Sequence, residues 1–104
     1  MRDEVWAALG DRHRRAVLDE LRRGTCSVGE LVRRVGLSQP ATSKHLRVLR
    51  HAGLVTVRKQ AQQRIYAVAP GPIADLDAWL APYRQLWNDR LDALGRHRDD
   101  LEGS

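Results

Sequence analysis

Residues 37–55 read LSQPATSKHLRVLRHAGLV, and the pattern of this stretch decides the fold. Ser38 is a good N-cap, because its hydroxyl can accept from the free N–H groups of a first helical turn. Pro40 stands just inside that turn, where its missing N–H costs nothing. Leu46, Leu49 and Ala52 recur at helical spacing as an apolar stripe, and Gly53 ends the run. The other face carries Gln39, Ser43, Lys44, Arg47 and Arg50. Positions 39, 43, 47 and 50 are spaced by four, four and three, so they line one stripe. The spacing predicts a helix over about 38–52 with an apolar back and a Gln/Ser/Lys/Arg front. Such a helix has the shape and the donors to enter a DNA major groove.

Upstream, Ser27 with Glu30 three residues on has the capping-box pattern and predicts a helix whose apolar face is Leu31, Val32 and Val35. Gly36-Leu37-Ser38 then leaves only a short turn, so the two helices read as a helix-turn-helix. Asp11 can cap an earlier helix, roughly 12–23, with Ala16, Val17, Leu18 and Leu21 inward. A first short helix over 3–9 carries Val5, Trp6 and Leu9. Downstream, Leu54–Lys59 and Arg64–Val68 alternate apolar and polar residues around the polar tip Gln60-Ala61-Gln62-Gln63. A hairpin directly after a recognition helix is a wing, placed at about 54–68. Pro70-Gly71-Pro72 punctuates the chain. A long amphipathic helix over about 73–97 follows, with Leu76, Leu80, Tyr83, Trp87, Leu91 and Leu94 at spacings of four and three. Pro82 is expected to kink or split it. The fold expected is mainly α with a small β-hairpin wing, in the order α-α-α-α-β-β-α, as a single domain over 1–104.

Composition narrows the function. With 104 residues, 42% hydrophobic and 30% charged, the chain suits one soluble globular domain rather than a disordered segment. No apolar run approaches the roughly 20 residues of a membrane span. No basic-then-apolar leader opens the sequence, and the lone Cys26 cannot form an internal disulfide. A cytoplasmic protein with no membrane partner is the expectation. Charge placement says more than the net +5. Leu31 through Ala74 hold no Asp or Glu but eight Lys and Arg: Arg33, Arg34, Lys44, Arg47, Arg50, Arg58, Lys59 and Arg64. The first 30 residues balance at six of each sign, and residues 70–104 hold four Arg against seven acids. A basic middle between neutral and acidic ends is the footprint of a nucleic-acid surface.

The residues DRHRR over 11–15, Leu31 and Val32, and SQPATSKHLRVLRHAGLV over 38–55 resemble the ArsR-type family of winged helix-turn-helix repressors. The tail LDAWLAPYRQLWNDRLDAL over 76–94 resembles a subgroup without metal-sensing residues. The resemblance implies a homodimer joined through its first and last helices, acting as a transcriptional repressor at a palindromic operator. The Cys-x-Cys pair of metal-sensing members is absent from ELVRRV over 30–35. The last helix offers only His97 near Asp99 and Asp100, short of the three or four ligands that zinc needs. No metal and no cofactor are expected.

The sequence thus nominates double-stranded DNA and a second copy of the chain as partners. Ser38, Gln39, Thr42, Ser43, Lys44 and Arg47 are candidates for groove contact, with Thr42 open to packing inward instead. Arg33, Arg34 and Arg50 suit phosphates, and Arg58, Lys59, Gln63 and Arg64 of the wing suit the backbone or the minor groove. Val5, Trp6, Trp79, Tyr83, Trp87 and Leu91 are the expected dimer face, since aromatic anchors concentrate at interfaces. His45 reads as a satisfied packing residue before it reads as a base reader, and Cys26 as an inert half-buried thiol before a redox switch. No nucleophile stands with a base and an orienting group in the sequence, so an enzyme is not expected. A winged helix that binds protein, and a repressor answering a small-molecule or redox signal, stay open as alternatives.

Overall fold

The computed structural model describes the backbone of residues 2–102 and the side chains of residues 2–95. The elements are α1 (Asp3–Leu9), α2 (Arg12–Arg23), β1 (Cys26–Ser27), α3 (Val28–Val35), α4 (Gln39–His51), β2 (Val55–Gln60), β3 (Gln63–Val68) and α5 (Pro70–Glu102). The chain divides into two compact units, residues 1–74 and 75–104.

In the first unit, polar side chains start the helices where the sequence places them. The Asp11 carboxylate accepts from the backbone N–H of His13 at 2.8 Å and of Arg14 at 3.1 Å. These bonds hold its carboxyl below the usual carboxylate range. Arg14 Nε and Arg15 Nη1 reach back to the Ala8 and Leu9 carbonyls at 2.8 Å, satisfying orphan acceptors at the end of α1. Ser27 and Glu30 close the capping box reciprocally at 3.2 and 3.3 Å, and the Glu30 carboxyl is likewise held low. Gly36 ends α3 in the left-handed conformation, φ +72°. Gly53, φ +78°, follows α4, with the Gly53 and Leu54 N–H groups donating to Arg50 and Leu49 carbonyls. That is the Schellman arrangement, and it turns the chain sharply from α4 into β2.

The core joins one face of every element of this unit. Val5 and Ala8 of α1, Val17 and Leu21 of α2, Leu31 of α3 and Leu46 and Leu49 of α4 are buried against Leu54, Val55 and Tyr66. The sheet is antiparallel with order β1-β3-β2, Tyr66 lying between Cys26 and Val57. The strand β1 was not anticipated. Two residues wedged between Gly24 and a capping box carry no alternation to read, and only pairing with Ser27↔Ile65 and Cys26↔Tyr66 makes them a strand.

Two expectations for the last helix change. It begins at Pro70, not near 73, because prolines in a first turn lack only N–H groups that would have no helical partner. It also runs on through Pro82 as one helix, so of the two outcomes expected there, kink or split, the split does not occur. In the second unit Arg84 Nη1 meets Asp77 Oδ1 at 2.7 Å, and the Trp79 and Tyr83 rings stack with centroids 4.7 Å apart. No helix among the described residues is long and apolar enough to cross a membrane.

Candidate nucleic-acid interface

Helix α4 has the two faces that its spacing predicts. Leu46 and Leu49 are 1% and 0% exposed, while Gln39, Lys44, Arg47 and Arg50 are exposed and Ser43 is half-buried. The Ser38 hydroxyl accepts from the Ala41 N–H at 3.2 Å, so Ser38 serves the helix start. In the wing, Arg58, Lys59, Gln63 and Arg64 are all exposed. The ladder sets Lys59 directly opposite Arg64. Facing like charges destabilise a hairpin unless a polyanion lies over them.

Thr42 does not belong to this surface. It is fully buried, and its hydroxyl donates to the Ser38 carbonyl at 2.9 Å. A position four residues before Leu46 and seven before Leu49 falls on the inner face, and the short side chain finds its partner one turn back. Arg34, expected to suit a phosphate, is exposed and already has partners within the chain. Its guanidinium lies 3.1 Å from Cys26 Sγ and 3.5 Å from Glu30 Oε2. Arg33, one residue earlier, instead lines a hollow with Gln62, Gln63 and Arg64 of the wing.

The histidine and cysteine readings sharpen. His45 packs inward with its ring centroid 5.8 Å from that of His13, and its buried Nδ1 has no hydrogen-bond partner among the described residues. Cys26 is wholly buried rather than half-buried, and burial pushes its thiol up despite Arg34 beside it. Thiolate is the reactive form, so the position suits packing. Among the described residues no group of three or more His, Cys, Asp or Glu is placed to hold a metal ion. The side chains of His97, Asp99 and Asp100 lie outside the described residues.

The expected dimer face is partly corrected too. Val5 is 2% exposed and belongs to the core, because α1 uses Val5 and Ala8, three apart, to dock. Trp6 is exposed on the same short helix. Trp79, Tyr83, Trp87 and Leu91 are exposed as well, and Leu86 and Leu94 join them without having been nominated for this role.

Two helices set for a helix-turn-helix, a basic recognition face and an adjoining antiparallel hairpin define a winged helix-turn-helix protein. A sequence profile of a helix-turn-helix domain matches residues 9–58. The chain is 41% identical over 98 residues to the HTH-type transcriptional regulator Rv2034 of Mycobacterium tuberculosis, covering 86% of this chain and 92% of that one. It superposes on an ArsR-like transcriptional regulator from Rhodococcus sp. RHA1 with a TM-score of 0.71 at 32% identity, covering 88% and 87% of the two chains. The homodimeric winged helix-turn-helix DNA-binding domain of a possible ArsR-family regulator from Mycobacterium bovis matches with a TM-score of 0.67 at 26% identity, over 80% and 77%. The chain belongs to the ArsR family of winged helix-turn-helix transcriptional regulators.

Proposed function

We propose that the protein is a homodimeric repressor that occupies a palindromic operator and excludes transcription sterically, in the cytoplasm, without catalysis and without a metal. The observation that carries this reading is the exposed face of α4, where Gln39, Lys44, Arg47 and Arg50 stand within a segment of 44 residues that holds no acid. Gln39 can bond adenine bidentately and Lys44 can donate to guanine. The exposed apolar residues of α5 supply a surface for a second copy, as the homodimeric relative supports, and Trp6 stands exposed on α1. A two-fold axis through that surface sets two recognition helices against two half-sites.

The test is selection of operator sequences from random DNA by the purified protein, followed by Gln39→Ala. The variant is expected to lose about 1–3 kcal/mol on the selected operator and to relax preference at one base pair in each half-site. Half-site centres are expected about 10–10.5 base pairs apart or a multiple of that. If half a turn of DNA inserted between the half-sites leaves affinity unchanged, the helices do not read one face of the duplex. The reading then gives way to a protein-interaction module.

A further inference from the structure

A cleft of about 240 Å³ opens between α4 and the wing, lined by Ser43, Arg47, Arg50, Arg64 and Tyr66 over a floor of Val28 and Leu46. Three arginines border it. The ion pairs among the described residues are Arg14–Asp11, Arg34–Glu30 and Arg84–Asp77, so none of the three is neutralised by a carboxylate there. The Tyr66 ring is buried, and its hydroxyl makes no hydrogen bond among the described residues. Ser43 adds a second hydroxyl. The walls therefore offer donors and positive charge, which exclude a cation and call for a compact oxyanion.

The sheet register explains why Arg64 belongs to this cleft and Arg58 does not. Arg64 stands two residues before Tyr66, so both side chains leave the same face of β3, the face turned to the core. Arg58 pairs with Ile65 and leaves the opposite face. Sequence alone leaves Arg58 and Arg64 equivalent as wing contacts and Arg47 a candidate for groove contact. The cleft separates Arg58 from Arg64 and draws Arg47 and Arg50 toward Arg64.

We infer that this cleft is a clamp for a single phosphate group, filled in the DNA complex by one backbone phosphodiester in each half-site. The inference rests on the operator reading above. The stripe that holds Ser43, Arg47 and Arg50 begins with Gln39, so the polyanion that Gln39 meets passes the mouth of the cleft. One phosphate shared by helix and wing locks the hairpin to the recognition helix, and so couples wing contact to groove contact. Arg47 then acts on the backbone and contributes to every sequence alike.

Coupling gives the test. Arg50→Ala and Arg64→Ala are each expected to weaken operator binding about tenfold, as lost charged hydrogen bonds do. The double variant is expected to lose far less than the hundredfold product, because both groups act on one phosphate. It is also expected to lower the salt slope by about one unit per half-site rather than two. Arg58→Ala combined with Arg50→Ala is expected to be multiplicative. Tyr66→Phe, which keeps the buried ring, is expected to cost about threefold. A scan with neutral methylphosphonates is expected to find one position per half-site that weakens the wild type and leaves the Arg50/Arg64 double variant unaffected.

Multiplicative loss for Arg50 with Arg64, or a flat scan, overturns the clamp while leaving the Gln39 result standing. A flat scan together with displacement of DNA by micromolar pyrophosphate at constant ionic strength assigns the cleft to a free phosphate compound instead, and equally overturns the backbone assignment. Failure of the operator reading itself appears differently, as sequence-indifferent binding by the wild type.

Discussion

Helices α4 and α5 are both amphipathic in sequence, yet only α4 has its apolar side covered. Leu46 and Leu49 of α4 are all but inaccessible, whereas Trp87 and Leu94 of α5 are 64% and 63% exposed. The difference lies in what surrounds each helix. Helix α4 is enclosed by α2, α3 and the sheet, so its stripe completes a core made of this chain alone. The α5 residues Tyr83, Leu86, Trp87, Leu91 and Leu94 keep a large apolar area in water, beyond what scattered surface residues explain. The apolar stripe of one helix is covered by its own fold, while that of the other stays exposed.

The contrast can be broken by substitution. Leu46→Ala, which empties a fully buried site beneath the recognition face, is expected to cost about 2–5 kcal/mol of folding stability by chemical denaturation. Against a typical total of about 5–15 kcal/mol, that is enough to weaken DNA binding through unfolding alone. A loss below about 1 kcal/mol would mean that α4 is not packed as described.

Trp87→Asp should act on assembly instead. The variant is expected to retain its helical circular dichroism while light scattering shows monomers at micromolar concentration. Operator affinity is expected to fall about a hundredfold or more, because two linked half-site contacts become one. Unchanged dimer mass would show that the exposed stripe of α5 serves something other than self-association.

The smallest expected effect sharpens the description of the first unit. Asp11 and Glu30 have carboxyls held low by helix-start hydrogen bonds. A carboxyl with a depressed folded value contributes stability that is present above its unfolded value, near 4, and lost as pH falls through the folded value. Thermal stability is therefore expected to stay level with respect to these groups from pH 7 to 5 and to fall below about pH 4. Asp11→Asn keeps an acceptor for the cap but removes the titration, so its acid-side decline should be shallower. An identical decline would show that the cap carries no part of the acid sensitivity.

Local signals were legible wherever they rest on short-range physics. Asp11, Ser27 with Glu30, Ser38 and Pro40 marked helix starts because caps act over three or four residues. Gly36 and Gly53 marked helix ends, since both adopt positive φ. The basic recognition face, the wing and the resemblance to the ArsR family followed from the same stretch, because periodicity and charge are properties of adjacent residues.

What tertiary structure alone decided is where local pattern is silent or double-valued. Thr42 carries a polar group on an inward position, and only packing shows that it bonds Ser38 rather than a base. Val5 and Trp6 are neighbours of similar character, but the angle of docking buries one and exposes the other. Arg34 is captured by Cys26 and Glu30, and β1 exists only through its pairing with β3. Arg64 and Tyr66 meet Arg47 and Arg50 because the hairpin folds back beside α4. A chain's own spacing determines helix faces and strand alternation. Which faces meet across separations of fifteen or more residues is set by the simultaneous packing of all the elements.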